Sequence, residues 1–347
     1  MKEANPAGGC EFLAMPERAS APKRVIFSLW AGPLPVISEL HFLSTLAHMG
    51  SAQYVLFLDS SNSINLDFPT ELEWIKSEPK ITIREIDVSS FLASEGFSLA
   101  GHSHILNAHP GSLFRKFLRI WFGFLSGIQT MRERLAPSSK NQNLLPFGVE
   151  DNVAFGITAG HGYSRWVPAS DLTYRADLFR LLAPAFFPES DVLWLDLDVA
   201  VLSDLDWLDN SQAFTYRWGR LPFANNAVLF LPATSPSIRH SLVSEMRARG
   251  TARPWTLLSD AFCDFLGIEI KASELFDPFF LDDNVLSNDH KRLFTSDENS
   301  AELAQHFKAS LLMLHWHNQW ALIPPQDSAF GHLLDHYRNS PLTTERR

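Results

Sequence analysis

The run Ser190 to Leu205, SDVLWLDLDVAVLSDL, combines near-continuous apolar content with two carboxylates, Asp196 and Asp198. Pro188 precedes it, and its β-branched residues suit a strand buried on both faces, of the kind found at the centre of a parallel sheet. Successive strand side chains point to opposite faces, so carboxylates at i and i+2 share one face. Burying two like charges together is unfavourable without a counter-ion. Leu197 between them, and Val199, Val201 and Leu202 beyond, argue that the chain stays buried instead of running out into solvent. A hard divalent cation, Mn²⁺ or Mg²⁺, bridging these oxygens to phosphate oxygens would answer the charge problem.

The rest of the composition narrows the class. The chain has 347 residues, 46% hydrophobic and 20% charged, enough for one elaborated α/β domain. A formal charge of −10 opposes binding to nucleic acid or to an anionic membrane through the whole surface. Only Cys10 and Cys263 are present, so neither a disulfide framework nor a cysteine-ligated zinc site is available, and a cytoplasmic location is expected. Residues 1–22 are rich in Ala, Pro and Gly and read as a disordered arm. No apolar run approaches the roughly 18 residues of a membrane helix.

From the amino end, Lys23–Trp30 reads as a first strand that breaks at Ala31-Gly32-Pro33. Val36–Met49 has helical spacing. Gln53–Asp59 is a second strand, Thr70–Ser77 a short helix with Thr70 and Glu73 placed as a capping box, and Ile81–Val88 a third strand. This alternation predicts a mostly parallel sheet with its ligands beyond the strands' carboxyl ends. Trp30 lies at such an end, as a base-stacking residue or as a rim aromatic.

Residues 96–167 lack this rhythm and read as an inserted helical subdomain within a single catalytic domain, 23–325, followed by a tail, 326–347. Within the insertion, 112–135 predicts a helix with a wide apolar stripe, either buried on the sheet or making a peripheral membrane contact. His102, His104, His109 and His161 flank it without a predicted common face. Ala169–Ala183 is helical and leads straight into the acidic strand, so its polar residues Asp171, Arg175, Asp177 and Arg180 point to the same region. Asn225 and Asn226 stand before a strand predicted over Ala227–Leu231. Trp255–Leu266 predicts another helix and Phe276–Asn284 an aromatic and acidic loop. Ser310–Leu314 is an apolar strand ending in His315-Trp316-His317-Asn318, with Trp320 close behind. Alternation would put His315 and His317 on one face.

Three separated passages resemble one family. RLLAPAFFPESDVLWLDLDVAVLSDL is similar to the Arg-helix, proline and Leu-Asp-x-Asp strand of family 8 glycosyltransferases. FSLWAGPLP resembles the Trp-x-Gly end of the first strand in family 32, and LHWHNQW its terminal His- and Trp-containing element. The resemblance, to the sugar-binding DxD group of GT-A type glycosyltransferases, runs from Val25 to Trp320. It implies a nucleotide-diphospho-sugar transferase fold, an Mn²⁺ or Mg²⁺ ion, a nucleotide-sugar donor, UDP in the first instance, and a glycan, lipid or protein acceptor.

Matched position by position, the resemblance assigns Asp196 and Asp198 to the metal and diphosphate, with Asp196 also near the ribose. It gives His315, or His317 in its place, as a further metal ligand. Trp30 with Ala31 and Gly32 would hold the base, Asp171 the donor sugar, and Arg180 and Asn225 the donor, with Trp320 on the sugar side of an element that folds over it. Departures are visible too. The Gly-Gly pair of family 32 is absent, Asp177 competes with Asp171, and Ala227 replaces a glycine of family 8. Both families retain anomeric configuration; Asp282, Asp283 or Asn225 could face the sugar, or the leaving phosphate could act alone. Two other classes fit less of the chain: a haloacid-dehalogenase-like phosphatase using Asp196, and a non-catalytic sugar-binding protein on the same fold.

Overall fold

The computed structural model describes residues 23–61, 68–96, 98–100, 166–168, 172–217, 224–249, 258–279, 288–317 and 322–340. The predicted helix at 112–135, the four histidines of the insertion, Asp171, Asp282, Asp283 and Trp320 lie outside the described residues. The chain divides into two compact units, one of Met1–Ile86, Phe179–Val243 and Trp255–Arg347, the other of Asp87–Leu178 and Ser244–Pro254.

In chain order the strands are β1 (Arg24–Trp30), β2 (Gln53–Asp59), β3 (Ile81–Ile86), β4 (Ser98–Ala100), β5 (Trp166–Pro168), β6 (Asp191–Leu195), β7 (Val199–Val201), β8 (Phe214–Arg217), β9 (Ala224–Leu231), β10 (Glu269–Lys271) and β11 (Met313–His315). The helices are α1 (Glu39–His48), α2 (Val88–Ser94), α3 (Leu172–Leu182), α4 (Pro236–Arg249), α5 (Asp260–Leu266), α6 (Asn288–Phe294), α7 (Ser300–Ser310) and α8 (Ala329–Arg338).

The first unit is an α/β layer built on a seven-stranded sheet in the order β3-β2-β1-β6-β9-β8-β10. β3, β2, β1 and β6 are parallel, as the alternating sequence predicts, while β9 runs antiparallel to both β6 and β8. β1 and β2 are apolar along nearly their whole length and buried, which is what a central parallel strand covered on both faces requires. A buried guanidinium closes the entry to β6: Arg239 donates to the carbonyls of Phe187, Ser190 and Leu231 at 2.6 to 2.8 Å.

The acidic run is not one strand. β6 ends at Leu195, residues 196–198 turn, with the Val199 N–H donating to Asp196 O at 3.0 Å, and β7 leaves the sheet to pair antiparallel with β11. Strand alternation therefore does not place Asp196 and Asp198; a tight turn does. An uninterrupted apolar pattern cannot signal the break, because both β6 and β7 are buried. Asn225 and Asn226 likewise lie inside β9, not ahead of it. Thr70–Ser77 is a 3₁₀ helix with Pro69 at its N-cap and no side-chain cap; Glu73 pairs instead with Lys76 at 2.8 Å. The strand expected from Ser310 begins only at Met313, since α7 extends to Ser310. Of the helix expected over Trp255–Leu266, the described part is α5, capped by Ser259 and ended by Gly267 at φ +72°, a conformation that glycine adopts without strain.

The segment 326–347, read as a tail, contains α8, whose Phe330, Leu333 and Tyr337 share a buried cluster with Leu40 and Leu43 of α1. Gly331 sits in the first turn of α8, where an added Cβ would run into the backbone carbonyls of Pro325 and Gln326. Alanine normally stabilises a helix by about 1 kcal/mol over glycine. Gly331→Ala is expected to reverse that sign and lower the Tm by several degrees, which a thermal melt checks.

In the second unit, Asp87 caps α2 by accepting from the Ser90 N–H at 2.9 Å, β4 pairs with β5 in parallel, and Arg175, buried, donates to Ser89 Oγ at 2.8 Å. Among the described residues no helix is long and apolar enough to cross a membrane.

Candidate functional site

The carboxyl ends of the parallel strands in the first unit carry its polar residues. β1 ends at Trp30 and β6 at Leu195, directly before Asp196. Because β9 is antiparallel, its first residues come to the same end: Asp196 N–H donates to Ala227 O at 2.9 Å, and Asn225 and Asn226 lie just upstream.

Asp196 is held on one oxygen. Its Oδ1 accepts from Trp194 Nε1 at 2.7 Å and lies 3.0 Å from Arg180 Nη2. Arg180 also donates to Asn226 Oδ1 at 2.6 Å, and its guanidinium stacks 5.0 Å from the Trp194 ring. So the arginine ahead of the strand does reach the acidic turn. Burial raises the Asp196 carboxyl to about 6, even with the Arg180 charge beside it, and Asp198 adds to the rise. Asn225 faces inward instead, accepting on Oδ1 from the Ala227 N–H at 2.9 Å while its carbonyl accepts from Thr215 Oγ1 at 2.5 Å. In this structure its amide oxygen serves β9.

Asp198 is buried and meets the other end of the chain. β11 pairs with β7 so that His315 lies opposite Val199, and the Trp316 N–H donates to Asp198 O at 2.9 Å. This register sets His315 Nε2 3.2 Å from Asp198 Oδ2, while His315 Nδ1 stands 2.7 Å from the Tyr216 hydroxyl. Burial pulls the His315 imidazole down, but Asp198, Asp277 and Asp196 together raise it above its ordinary value. The strand ends there. His317 reaches the site through a left-handed backbone at φ +55°, the single positive φ outside glycine among the described residues, and its ring lies 4.0 Å from that of His315. The two rings are tilted by 38° to one another.

Asp277 is the residue that sequence reasoning missed. It follows Phe276, whose carbonyl accepts from the His315 N–H at 2.9 Å, and it is fully buried. Its Oδ2 is 2.9 Å from His317 Nε2 and 4.0 Å from His315 Nδ1, so one carboxylate oxygen faces both imidazoles. Burial and the neighbouring His315 lower the His317 imidazole. Asp277, His315 and His317 each offer a ligand atom within 4.8 Å of the others. A buried carboxylate oxygen and two imidazoles this close together could hold a metal ion. The only sequence signal was an acidic residue inside an aromatic loop.

Trp30 is half-buried at the end of β1, with its indole N–H donating to Pro33 O at 2.9 Å, and Gly32 takes φ +97° in the turn. Asp177 belongs to the second unit, where it is buried.

No family model matches the chain, and no curated protein matches it in sequence. Solved structures do. The chain is similar to the WbbM bifunctional glycosyltransferase, at 10% identity and TM-score 0.44 over 96% of this chain and 52% of that one. It is similar to the glycosyltransferase GlyE of Streptococcus pneumoniae TIGR4, at 13% and 0.40 over 94% and 62%, and to mouse xyloside xylosyltransferase 1, at 12% and 0.38 over 86% and 99%. It thus spans about half the length of WbbM and less than two thirds of GlyE.

Proposed function

We propose that the protein is a metal-dependent glycosyltransferase that moves a sugar from a nucleotide sugar, a UDP-sugar in the first instance, to a glycan, lipid or protein acceptor with retention of configuration. The observation that carries this reading is the meeting of the Asp196–Asp198 turn with the carboxy-terminal His315 in one buried cluster. Asp277, His315 and His317 offer the convergent ligand atoms, and His315 also stands 3.2 Å from Asp198. With Asp198, and with Asp196 assigned by the resemblance, carboxylate and imidazole form a donor set that suits Mn²⁺. Bound there, the ion would supply positive charge to a diphosphate leaving group.

The chain's own residues have separate tasks in this scheme. Arg180, fixed by Asn226 and Trp194, holds the Asp196 carboxylate from one side. Tyr216 at His315 Nδ1 sets the orientation of that ring. Trp30, Ala31 and Gly32 form the edge against which the base would lie. Asp171 and Trp320 are assigned to the donor sugar, and Asn225 is kept as a β9 residue that sets the approach of the strand to Asp196.

Incubating the protein with a panel of nucleotide sugars and of phosphomonoesters, with and without Mn²⁺, tests the proposal. Mn²⁺-dependent release of UDP from one donor is expected; turnover of phosphomonoesters alone would replace it with the phosphatase reading. Trp30→Ala is expected to raise the donor KM by about tenfold with a smaller fall in kcat, the form taken by loss of uniform binding. Equal UDP affinity in the two proteins would make Trp30 a rim aromatic.

A further inference from the structure

Behind the acidic turn runs a chain of buried polar side chains that takes no part in the site described above. His41 of α1, Tyr54 of β2 and Ser28 of β1 are each almost completely buried. His41 Nδ1 donates to Val199 O at 2.6 Å, His41 Nε2 is 2.7 Å from the Tyr54 hydroxyl, the Tyr54 and Ser28 hydroxyls are 2.7 Å apart, and Ser28 Oγ donates to Leu195 O at 2.5 Å. The chain therefore begins and ends on the two carbonyls that bracket residues 196–198.

α1 does more for β7 than pack on it. The β7 groups bonded across to β11 alternate, and the Val199 and Val201 backbone groups face the other way. A strand in that position would normally find a neighbouring strand. Here side chains take its place: His41 bonds Val199 O, Ser44 Oγ accepts from the Val201 N–H at 3.1 Å, and Tyr337 donates to Val201 O at 3.3 Å. Spacing three residues apart puts His41 and Ser44 on one face of α1, in step with backbone groups two residues apart on β7.

We infer that His41, linked through Tyr54 to Ser28, is a positioning residue that clamps the 196–198 turn at both ends and so sets the separation of Asp196 from Asp198. A carbonyl can only accept, so the Nδ1–H tautomer is required and Nε2 is left to meet Tyr54. Burial keeps the imidazole neutral, lowering it to about 4. The Nδ1–H and the Ser28 hydroxyl are then committed to the two carbonyls, and the one Tyr54 hydrogen goes to His41 Nε2 or to Ser28 Oγ, so Tyr54 packs between the two anchors and joins them by contact on both sides. The geometric claim stands on these contacts alone; its importance for catalysis rests on the transferase reading.

Two readouts keep the claims apart. In hydrogen exchange, His41→Leu is expected to speed exchange at Val199 and Val201 at least tenfold while the amides of β2 keep their protection. His41→Asn, whose amide can replace the Nδ1 donor, should restore most of it. In a titration of UDP in the presence of Mn²⁺, His41→Leu should weaken binding at least tenfold and His41→Asn much less. Leu46→Ala, a cavity in the same core cluster that touches neither carbonyl, should lower the Tm without moving UDP affinity. Should His41→Leu fail to accumulate folded, Tyr54→Phe removes a single oxygen and should still speed exchange at Val199 about threefold. Wild-type exchange at Val199 in His41→Leu or Tyr54→Phe would overturn the clamp, as would an equal loss of UDP affinity in Leu46→Ala. If wild-type protein binds no UDP with Mn²⁺, the transferase reading falls and the exchange data alone decide the clamp.

Discussion

Asp198→Asn is expected to abolish sugar transfer and donor hydrolysis, with kcat down more than about 100-fold, while the protein stays folded. The main-chain contact that joins the turn to β11 runs from Trp316 N–H to Asp198 O, and substitution does not touch it. An amide has the volume of the carboxylate and can still meet His315 Nε2, which stands 3.2 Å away. It cannot supply the negative charge that a divalent ion needs at this position. The measurement is donor hydrolysis at several Mn²⁺ concentrations, alongside a thermal melt. Near-wild-type turnover in limiting Mn²⁺ would remove Asp198 from the metal site.

Metal affinity should depend steeply on pH, weakening by up to tenfold per unit for each proton displaced as pH falls from 7 to 5. Two groups set the window. Asp196, raised by burial to about 6, must be ionised to hold a cation, and His315, raised above its ordinary value by the carboxylates around it, must be neutral. For the metal-free protein the signs run together. Asp196 binds its proton more tightly in the native state than unfolded, so between about pH 4 and 6 the native state holds more protons and loses stability as pH rises. His315 contributes stability below its unfolded value near 6.5 and loses it as pH climbs through the higher folded value. A bound cation reverses both penalties. The rise in Tm on adding Mn²⁺ should therefore grow from pH 5 to pH 7.5, and an equal rise at both pH values would place the ion away from these residues.

The sheet was largely legible from the sequence. Lys23–Trp30 and Gln53–Asp59 map onto β1 and β2 because central parallel strands are apolar on both faces, and Ile81–Val88 maps onto β3, an edge strand whose β-branched isoleucines alternate with polar residues. Asp196, Asp198 and His315 stood out because charge or imidazole at the end of such a run is chemically anomalous, and the structure brings all three together with Arg180. What escaped were features decided by tertiary contact. The break at 196–198 is invisible when both sides of it are apolar. The antiparallel course of β9 depends on its neighbours, and with it the inward role of Asn225. Asp277 reads as one more acidic residue in a loop until Phe276 is seen bonded to His315. His41, Tyr54 and Ser28 are separated by up to 26 residues and look like ordinary polar interruptions of a helix and two strands.

The sheet leaves the sequence at Ile86, the end of its edge strand β3, and takes it up again at Asp191, where β6 pairs not with β3 but with β1, two strands further in. In polymer terms strand pairing closes a ring of chain, and the entropic cost of closing a ring rises only with the logarithm of its length. A gap of roughly a hundred residues could be halved or doubled for about 0.6 kcal/mol each way. Chain material between Asp87 and Leu178 can thus be exchanged with little effect on the equilibrium stability of the sheet, so long as Phe179–Ser190, which brings Arg180 and the buried Phe179 and Phe187 to the first unit, is kept. Refolding speed is another matter, because the β1–β6 register must be found across that distance before the acidic turn has a strand to follow.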